Sequence, residues 1–261
     1  MNLGLEGKKA LVSGGTHGIG LATALELATQ GAQVAVFSSN PDRVSAAVAL
    51  LRDISPGHMG SVADALSPAS YGAVTAALEN TWGGVDILIN NVGGGGRWGE
   101  EDILQTAPRV WTEVYDKNMT IAINLTKDLL PYMLRQKWGR VITVTSIYGV
   151  EAGGRPWFNI AKTAQTVLMK NLSKITEYSS AGITFNSVAP GPILIPGTGW
   201  DTRQKDNHPE AYADYISAHI PRGKLGTPEE VADIITFLAS ERSGLINGAA
   251  IVCDGGQTAS F

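Results

Sequence analysis

Cysteine is almost absent from this chain of 261 residues: Cys253 stands alone, so no disulfide can close within it. Histidine is nearly as scarce, with four scattered residues and no cluster with cysteine, so no metal site is expected. Charged residues make up only 17%, and 20 Lys and Arg against 24 Asp and Glu leave a formal charge of −4. No basic field exists to hold a phosphodiester backbone, and nucleic acid is not an expected partner. Long apolar runs are missing too. "VSAAVALL" falls far short of the roughly 18 residues that suggest a membrane span, and "MNLGLEGKKALVSGG" has no apolar core of signal-peptide length. A soluble protein of the reducing cytoplasm, with no membrane partner, is expected.

What the chain does have is an apolar content of 44%, enough for one large core, and a single domain over 1–261 is expected. Short β-branched runs alternate with longer segments of helical period, the order of βαβ units around a parallel sheet covered on both faces. The runs fall at 9–14, 33–39, a weak 58–64, 85–91, 140–146, 183–190 and 249–256. Between the first two, Ile19, Ala22, Leu25 and Ala28 recur at helical spacing, and Gly31 follows where a left-handed C-terminal cap is wanted. Near the end, Thr227, Pro228 and Glu230 have the pattern of an N-cap, a first helical proline and a capping box. The segment 191–210, rich in Gly, Pro and polar residues, reads as a long irregular connection, and 191–220 as a substrate-binding loop or lid.

The first strand-to-helix turn, "SGGTHGIG", carries Gly14, Gly18 and Gly20. Small residues there let the backbone approach a pyrophosphate, and the free N–H groups at the helix start supply positive potential. Leu21 stands where a nucleotide triphosphatase needs lysine, which excludes a P-loop.

With "NNVG" at 90–93, "TSIYG" at 145–149, the lysine closing "FNIAK", "APGPI" after the sixth strand and the final "CDGG", the chain resembles the short-chain dehydrogenase/reductase family over essentially its whole length. The resemblance implies an α/β fold, a single-domain Rossmann-type doubly wound architecture with a seven-stranded parallel sheet flanked by helices on both faces. It implies an NAD(P)-dependent carbonyl reductase or alcohol dehydrogenase. Ser146 would hydrogen-bond the reacting oxygen, Lys162 would hold the nicotinamide ribose, and Asn118 would anchor a water leading protons to Lys162. Relatives carry a tyrosine four residues before that lysine as proton donor; here the position is Phe158. Three readings stay open: a deliberate Tyr→Phe change that lets cofactor and substrate be trapped together, a catalytically silent nucleotide-binding sensor or scaffold, or transfer of the donor role to Tyr148. Retention of Ser146, Asn118 and Lys162 together favours the first.

The same resemblance assigns Gly14, Thr16, His17, Gly18, Ile19 and Gly20 to the cofactor's pyrophosphate side. Ser38, Ser39, Asn40 and Arg43 fall at its 2′ position, Asp64 and Ala65 at the adenine, Asn90, Asn91, Val92 and Gly93 along its ribose, and Pro190, Gly191 and Ile193 over the nicotinamide. No carboxylate closes the second strand, which favours NADP(H), with NAD(H) possible. Ile195 stands where many relatives have a threonine touching the carboxamide. Gly94, Arg97, Trp98, Tyr148, Arg155 and Trp200, with Arg203, border the expected pocket for a polar small-molecule substrate. Long helices matching 112–136 and 160–178 imply a homotetramer, with a dimer next.

Overall fold

A computed structural model describes residues 2–95, 98–100 and 102–260, with the backbone alone for 202–205. Seven parallel strands form one sheet: β1 (Lys9–Ser13), β2 (Gln33–Ser38), β3 (Met59–Val62), β4 (Ile87–Asn90), β5 (Gly139–Val144), β6 (Ile183–Pro190) and β7 (Ala250–Cys253), in the order β3-β2-β1-β4-β5-β6-β7. These are the seven runs read from the sequence, with bounds that differ by up to three residues: β6 coincides with its run, β5 starts one residue earlier, and the others are shorter. The expected doubly wound sheet is present. The order reverses between β1 and β4, and the crevice beyond the strand C-termini at such a reversal is where open α/β sheets bind ligands.

Side-chain alternation sorts the core into two layers. Ala10, Val12, Val34, Val36, Ile87, Ile89 and Ile142 pack on one face, while Leu11, Ala35, Phe37, Leu88 and Val141 pack on the other. Successive strand residues point to opposite faces, so runs apolar at every position are what a doubly covered sheet requires. The first face is covered by α1 (Gly18–Thr29), α2 (Pro41–Ile54) and α9 (Pro228–Ala239); the second by α3 (Pro68–Trp82), α5 (Ile121–Gln136) and α6 (Pro156–Ser173). Gly31, with φ of 88°, closes α1 as expected: its N–H and that of Ala32 donate to the Ala28 and Leu27 carbonyls. The capping box of α9 forms as read, with Thr227 and Glu230 each accepting the other's backbone N–H.

Three expectations are corrected. The helix expected at 112–136 is α4 (Pro108–Tyr115) joined to α5 through a π turn at Asp116–Thr120. The helix at 160–178 ends at Ser173 and resumes as the short α7 (Thr176–Ser180), because the Lys174 and Ile175 N–H groups bond only three residues back and tighten the last turn. The segment 191–210 is not irregular throughout. It contains a π-helical stretch, Gly199–Asp206, and leads into α8 (Pro209–His219), whose Tyr212, Tyr215 and Ile216 pack with Trp200, Ile220 and Leu225.

Candidate functional site

Six strand ends build the site, β1 to β6, and a small hydrogen-bond net at the sheet's reversal point fixes those of β1 and β4. Ser13 Oγ donates to the Ile89 carbonyl at 3.2 Å and accepts the N–H groups of Asn91 and Val92 at 2.9 and 3.0 Å. The Asn91 amide returns the tie, donating to the Ser13 and Gly14 carbonyls. The ends of β1 and β4 are thereby locked together, and the glycine turn is held against them. Glycine is required here by space: a Cβ on Gly20 would lie 2.4 Å from both Asn91 Nδ2 and the Gly14 oxygen, and one on Gly15 would lie 2.6 Å from Val36. His17 is the N-cap of α1, with extended backbone, and its side chain makes no capping bond. No acidic residue occupies the first turn, so the helix start keeps its positive potential open to the cleft.

Along the edge beside β2, one cleft is lined by Gly14, Thr16, His17, Ser38, Ser39, Asn40, Arg43, Asp64, Ala65, Asn91, Val92 and Gly93, with Phe37, Ala63, Leu66 and Lys117. The expected adenosine-side residues are thus brought together, whereas Asn90 is buried beneath them, its amide directed at Thr126 and Thr143. Asn40 caps α2 by accepting the Arg43 N–H, which places the Arg43 side chain at the rim. Asp64 is the plain turn residue its neighbours suggest, accepting the Leu66 N–H, and still lines the cleft.

A second cleft shares Asn91 and Gly93 with the first and continues past Ile19, Gly94, Ser146, Phe158, Lys162, Pro190, Gly191, Ile193, Ile195 and Trp200. Ser146 leaves the end of β5 with extended backbone, and its Oγ accepts the Tyr148 N–H at 3.2 Å. Its own hydrogen is free to donate into the cleft. Phe158 and Lys162 stand one turn apart on α6, with Nζ 5.7 Å from the ring centroid. The Lys162 ammonium is buried and donates to the Val144 carbonyl and Gln165 Oε1, both at 3.0 Å. Asn118, on the π turn, is fully buried. Its amide bridges the Gly94 carbonyl and N–H to the Val114 carbonyl, and its own carbonyl accepts Gln165 Nε2 at 2.8 Å. Asn118 therefore reaches Lys162 through the Gln165 carboxamide.

On the outer wall, Trp98 lies under Lys117 Nζ at 4.6 Å, and Arg155 donates to the Trp98 and Gly99 carbonyls, so this arginine ties a loop to the start of α6. Tyr148 has its ring between Gly153 and Gly154, either of which would clash with it if given a Cβ. Trp200 packs against Tyr215 with ring centroids 4.7 Å apart and planes tilted by 41°. Arg97, and the side chain of Arg203, lie outside the described residues. Among the described residues no group of three or more His, Cys, Asp or Glu is placed to hold a metal, and no helix is long and apolar enough to cross a membrane.

A family model described as enoyl-(acyl carrier protein) reductase matches residues 14–258. A 3-oxoacyl-(acyl-carrier-protein) reductase of Vibrio cholerae is 33% identical over 255 residues, covering 98% of this chain and 99% of the relative. The chain belongs to the short-chain dehydrogenase/reductase family of oxidoreductases. A further relative in that family, the 2-(R)-hydroxypropyl-CoM dehydrogenase of Xanthobacter autotrophicus, is 33% identical over 263 residues, covering 96% of this chain and 98% of its own. Among solved structures, the L-sorbose reductase of Gluconobacter frateurii, determined with NADPH and L-sorbose, superposes with a TM-score of 0.91 at 30% identity over 100% of both chains.

For a short-chain dehydrogenase/reductase, three structural contributors received no role from the motifs: Ser13, Lys117 and Gln165. Ser13 opens the glycine-turn run, but the ties of its hydroxyl to the end of β4 exist only in the fold, and Lys117 is brought to the adenosine-side cleft by the π turn that follows α4. Gln165 carried a usable signal, because a glutamine three residues after Lys162 falls on the buried stripe of α6.

Burial alone pushes the Lys162 ammonium down from its ordinary 10.5 to about 7. Below that value both folded and unfolded chains are protonated and burial of the charge costs stability. Between about 7 and 10.5 the unfolded chain holds one more proton, so stability rises with pH across that window. Lys162→Met is therefore expected to melt above the parent at pH 6 and to lose that advantage by about pH 10.5, checked by paired thermal melts in a buffer series.

Proposed function

We propose that the chain is an NADP(H)-dependent carbonyl reductase or alcohol dehydrogenase acting on a polar small molecule, with its proton-delivery step disabled at Phe158. The observation that carries this is the single groove in which the glycine turn, Ser146, Phe158 and Lys162 meet, joined at Asn91 and Gly93. The cradle fits a dinucleotide, since Gly14 and Gly93 line the groove without a side chain, and Gly15 and Gly20 have no room for a Cβ where the turn packs against Val36, Asn91 and the Gly14 carbonyl beneath it. Bound there, NADPH supplies a hydride to a substrate carbonyl.

The chain's own residues do the rest. N–H groups at the start of α1 receive the pyrophosphate. Arg43, Ser39 and Asn40, with Lys117 across the cleft, favour a 2′-phosphate in a region lined by no carboxylate but the exposed Asp64. Lys162 holds the nicotinamide ribose with the donor left over from its two protein bonds. Ser146 donates to the oxygen on which charge develops. Phe158 has no hydroxyl to return the proton. Trp200 on the cleft wall offers a flat face to a polar ring, in keeping with the likeness to a sugar reductase.

Calorimetric titration tests the cofactor half: NADPH is expected to bind at least about tenfold more tightly than NADH, and Arg43→Ala to erase most of that margin. Equal affinities would remove the NADP assignment. The exposed Ile160 and Val167, two turns apart on α6, support assembly of copies through that helix into a homotetramer. Sedimentation that finds only 27.5 kDa particles would overturn the assembly.

A further inference from the structure

We propose that Gln165 is a positioning residue for Lys162: its carboxamide, locked in one orientation by the Asn118 carbonyl, holds the lysine as a fixed ammonium facing the cleft. The orientation follows from valence. A main-chain carbonyl only accepts and an ammonium only donates, so Nε2 must face Asn118, at 2.8 Å, and Oε1 must face Lys162, at 3.0 Å. Gln165 is fully buried, as is its partner Asn118. A buried carboxamide satisfied at both ends has no freedom to turn its donor toward the lysine.

The need for such a partner is set by what surrounds Nζ. From β5 comes the Val144 carbonyl; from α6, Gln165 and the Phe158 ring; from the loop after β4, Gly93; and from the π turn, the Asn118 amide. None of these groups is charged or titratable. A Cβ on Gly93 would lie 2.9 Å from Nζ and 2.7 Å from Asn118 Oδ1, so position 93 has no room for a side chain that could take Gln165's place. A buried cation with no carboxylate survives only on neutral acceptors, and Gln165 supplies the one side-chain acceptor recorded for it. The bridge also conducts poorly. A carboxamide donates at nitrogen and accepts at oxygen and does not exchange those roles, so it anchors the charge without passing a proton toward Asn118.

The inference rests on the reading in which Lys162 faces the cofactor, but its test does not need cofactor. Lysine labelled with ¹³C at Cε is titrated by NMR in the free protein, with the Lys162 signal assigned by its loss in Lys162→Met. Gln165→Leu is expected to lower the Lys162 midpoint by about one pH unit or more, and Gln165→Glu to raise it by at least as much. Gln165→Asn keeps the polarity but not the reach, and is expected to fall with the leucine variant; it carries the test if Gln165→Leu does not fold. A midpoint unchanged from the parent in Gln165→Leu or Gln165→Asn overturns the proposal. NADPH titration of the parent is run in parallel: failure to bind refutes the cofactor reading and leaves the Gln165 result standing.

Discussion

Phe158→Tyr is expected to raise NADPH-dependent carbonyl reduction by about 10²–10⁴-fold, the usual worth of a positioned general acid. The substitution adds one oxygen to a half-buried ring that already lines the cleft with Ser146 and Lys162. That oxygen would lie beside a buried ammonium, which favours the phenolate form and brings the acid closer to the working pH. Ser146, with its hydrogen free, would meet the same substrate oxygen from the end of β5. The assay follows NADPH absorbance with a panel of ketones and ketosugars, on parent and variant side by side. A large gain supports the reductase reading. No turnover by either form, with cofactor bound tightly by both, would instead describe a nucleotide-binding protein without chemistry. A parent as fast as the variant moves the donor role to Tyr148, and Tyr148→Phe then becomes the deciding variant.

Gly20→Ala is expected to weaken NADPH binding by about tenfold or more and to cost roughly 1–3 kcal/mol of stability. The new methyl would sit 2.4 Å from Asn91 Nδ2 and from the Gly14 carbonyl, the pair that fastens the glycine turn to β4. Relief requires the turn to lift from the end of β4, which moves the start of α1 as well. Gly72→Ala is the matched control. On α3 an added Cβ meets nothing within 4 Å, and replacing a helical glycine with alanine should stabilise by about 0.5–1 kcal/mol. Thermal melts and cofactor titration of the two variants give opposite signs if the turn geometry is the cause. Equal behaviour would remove the close approach as an explanation.

The sheet was legible because the runs of β1, β2, β4, β5 and β6 are apolar enough to be buried on both faces, and because the glycine turn and capping residues punctuate the helices; β3, at the sheet's edge and half-exposed, gave only a weak run. The glycine turn was legible as a strand-to-helix turn, whereas Ser146, Phe158 and Lys162 were legible only together, through the resemblance to a family that spaces such residues this way. Arg155 shows where that logic stops. It was expected to border the pocket, but the Trp98 and Gly99 carbonyls take its guanidinium, and only the folded path of the 98–99 loop could reveal them. The helix of 209–219 was hidden by the Gly, Pro and polar residues before it, although Tyr212, Tyr215 and Ile216 have helical spacing. Lys117 was invisible for a third reason, since no local pattern encodes a distant cleft wall. Gln165 was legible only in part: its place on the buried stripe of α6 beside Lys162 is local, but the Asn118 carbonyl that orients it is 47 residues away.

The π turn at Asp116–Thr120 sets the phase of everything that follows it. One extra residue in a helical turn rotates the next segment by about 100° relative to an unbroken α-helix. The buried stripe of α5 (Ile121, Leu125, Leu129 and Met133) is thus out of step with Val114 on α4, and Asn118 falls between the two. Closing this turn into a regular helix with the chain length unchanged would swing α4 around its axis, carrying Val114 away from α6, whereas deleting one residue at the same time would leave the two helices in their present phase. The extra residue held in a single turn is therefore a rotational spacer between the sheet's packing and the mouth of the cleft.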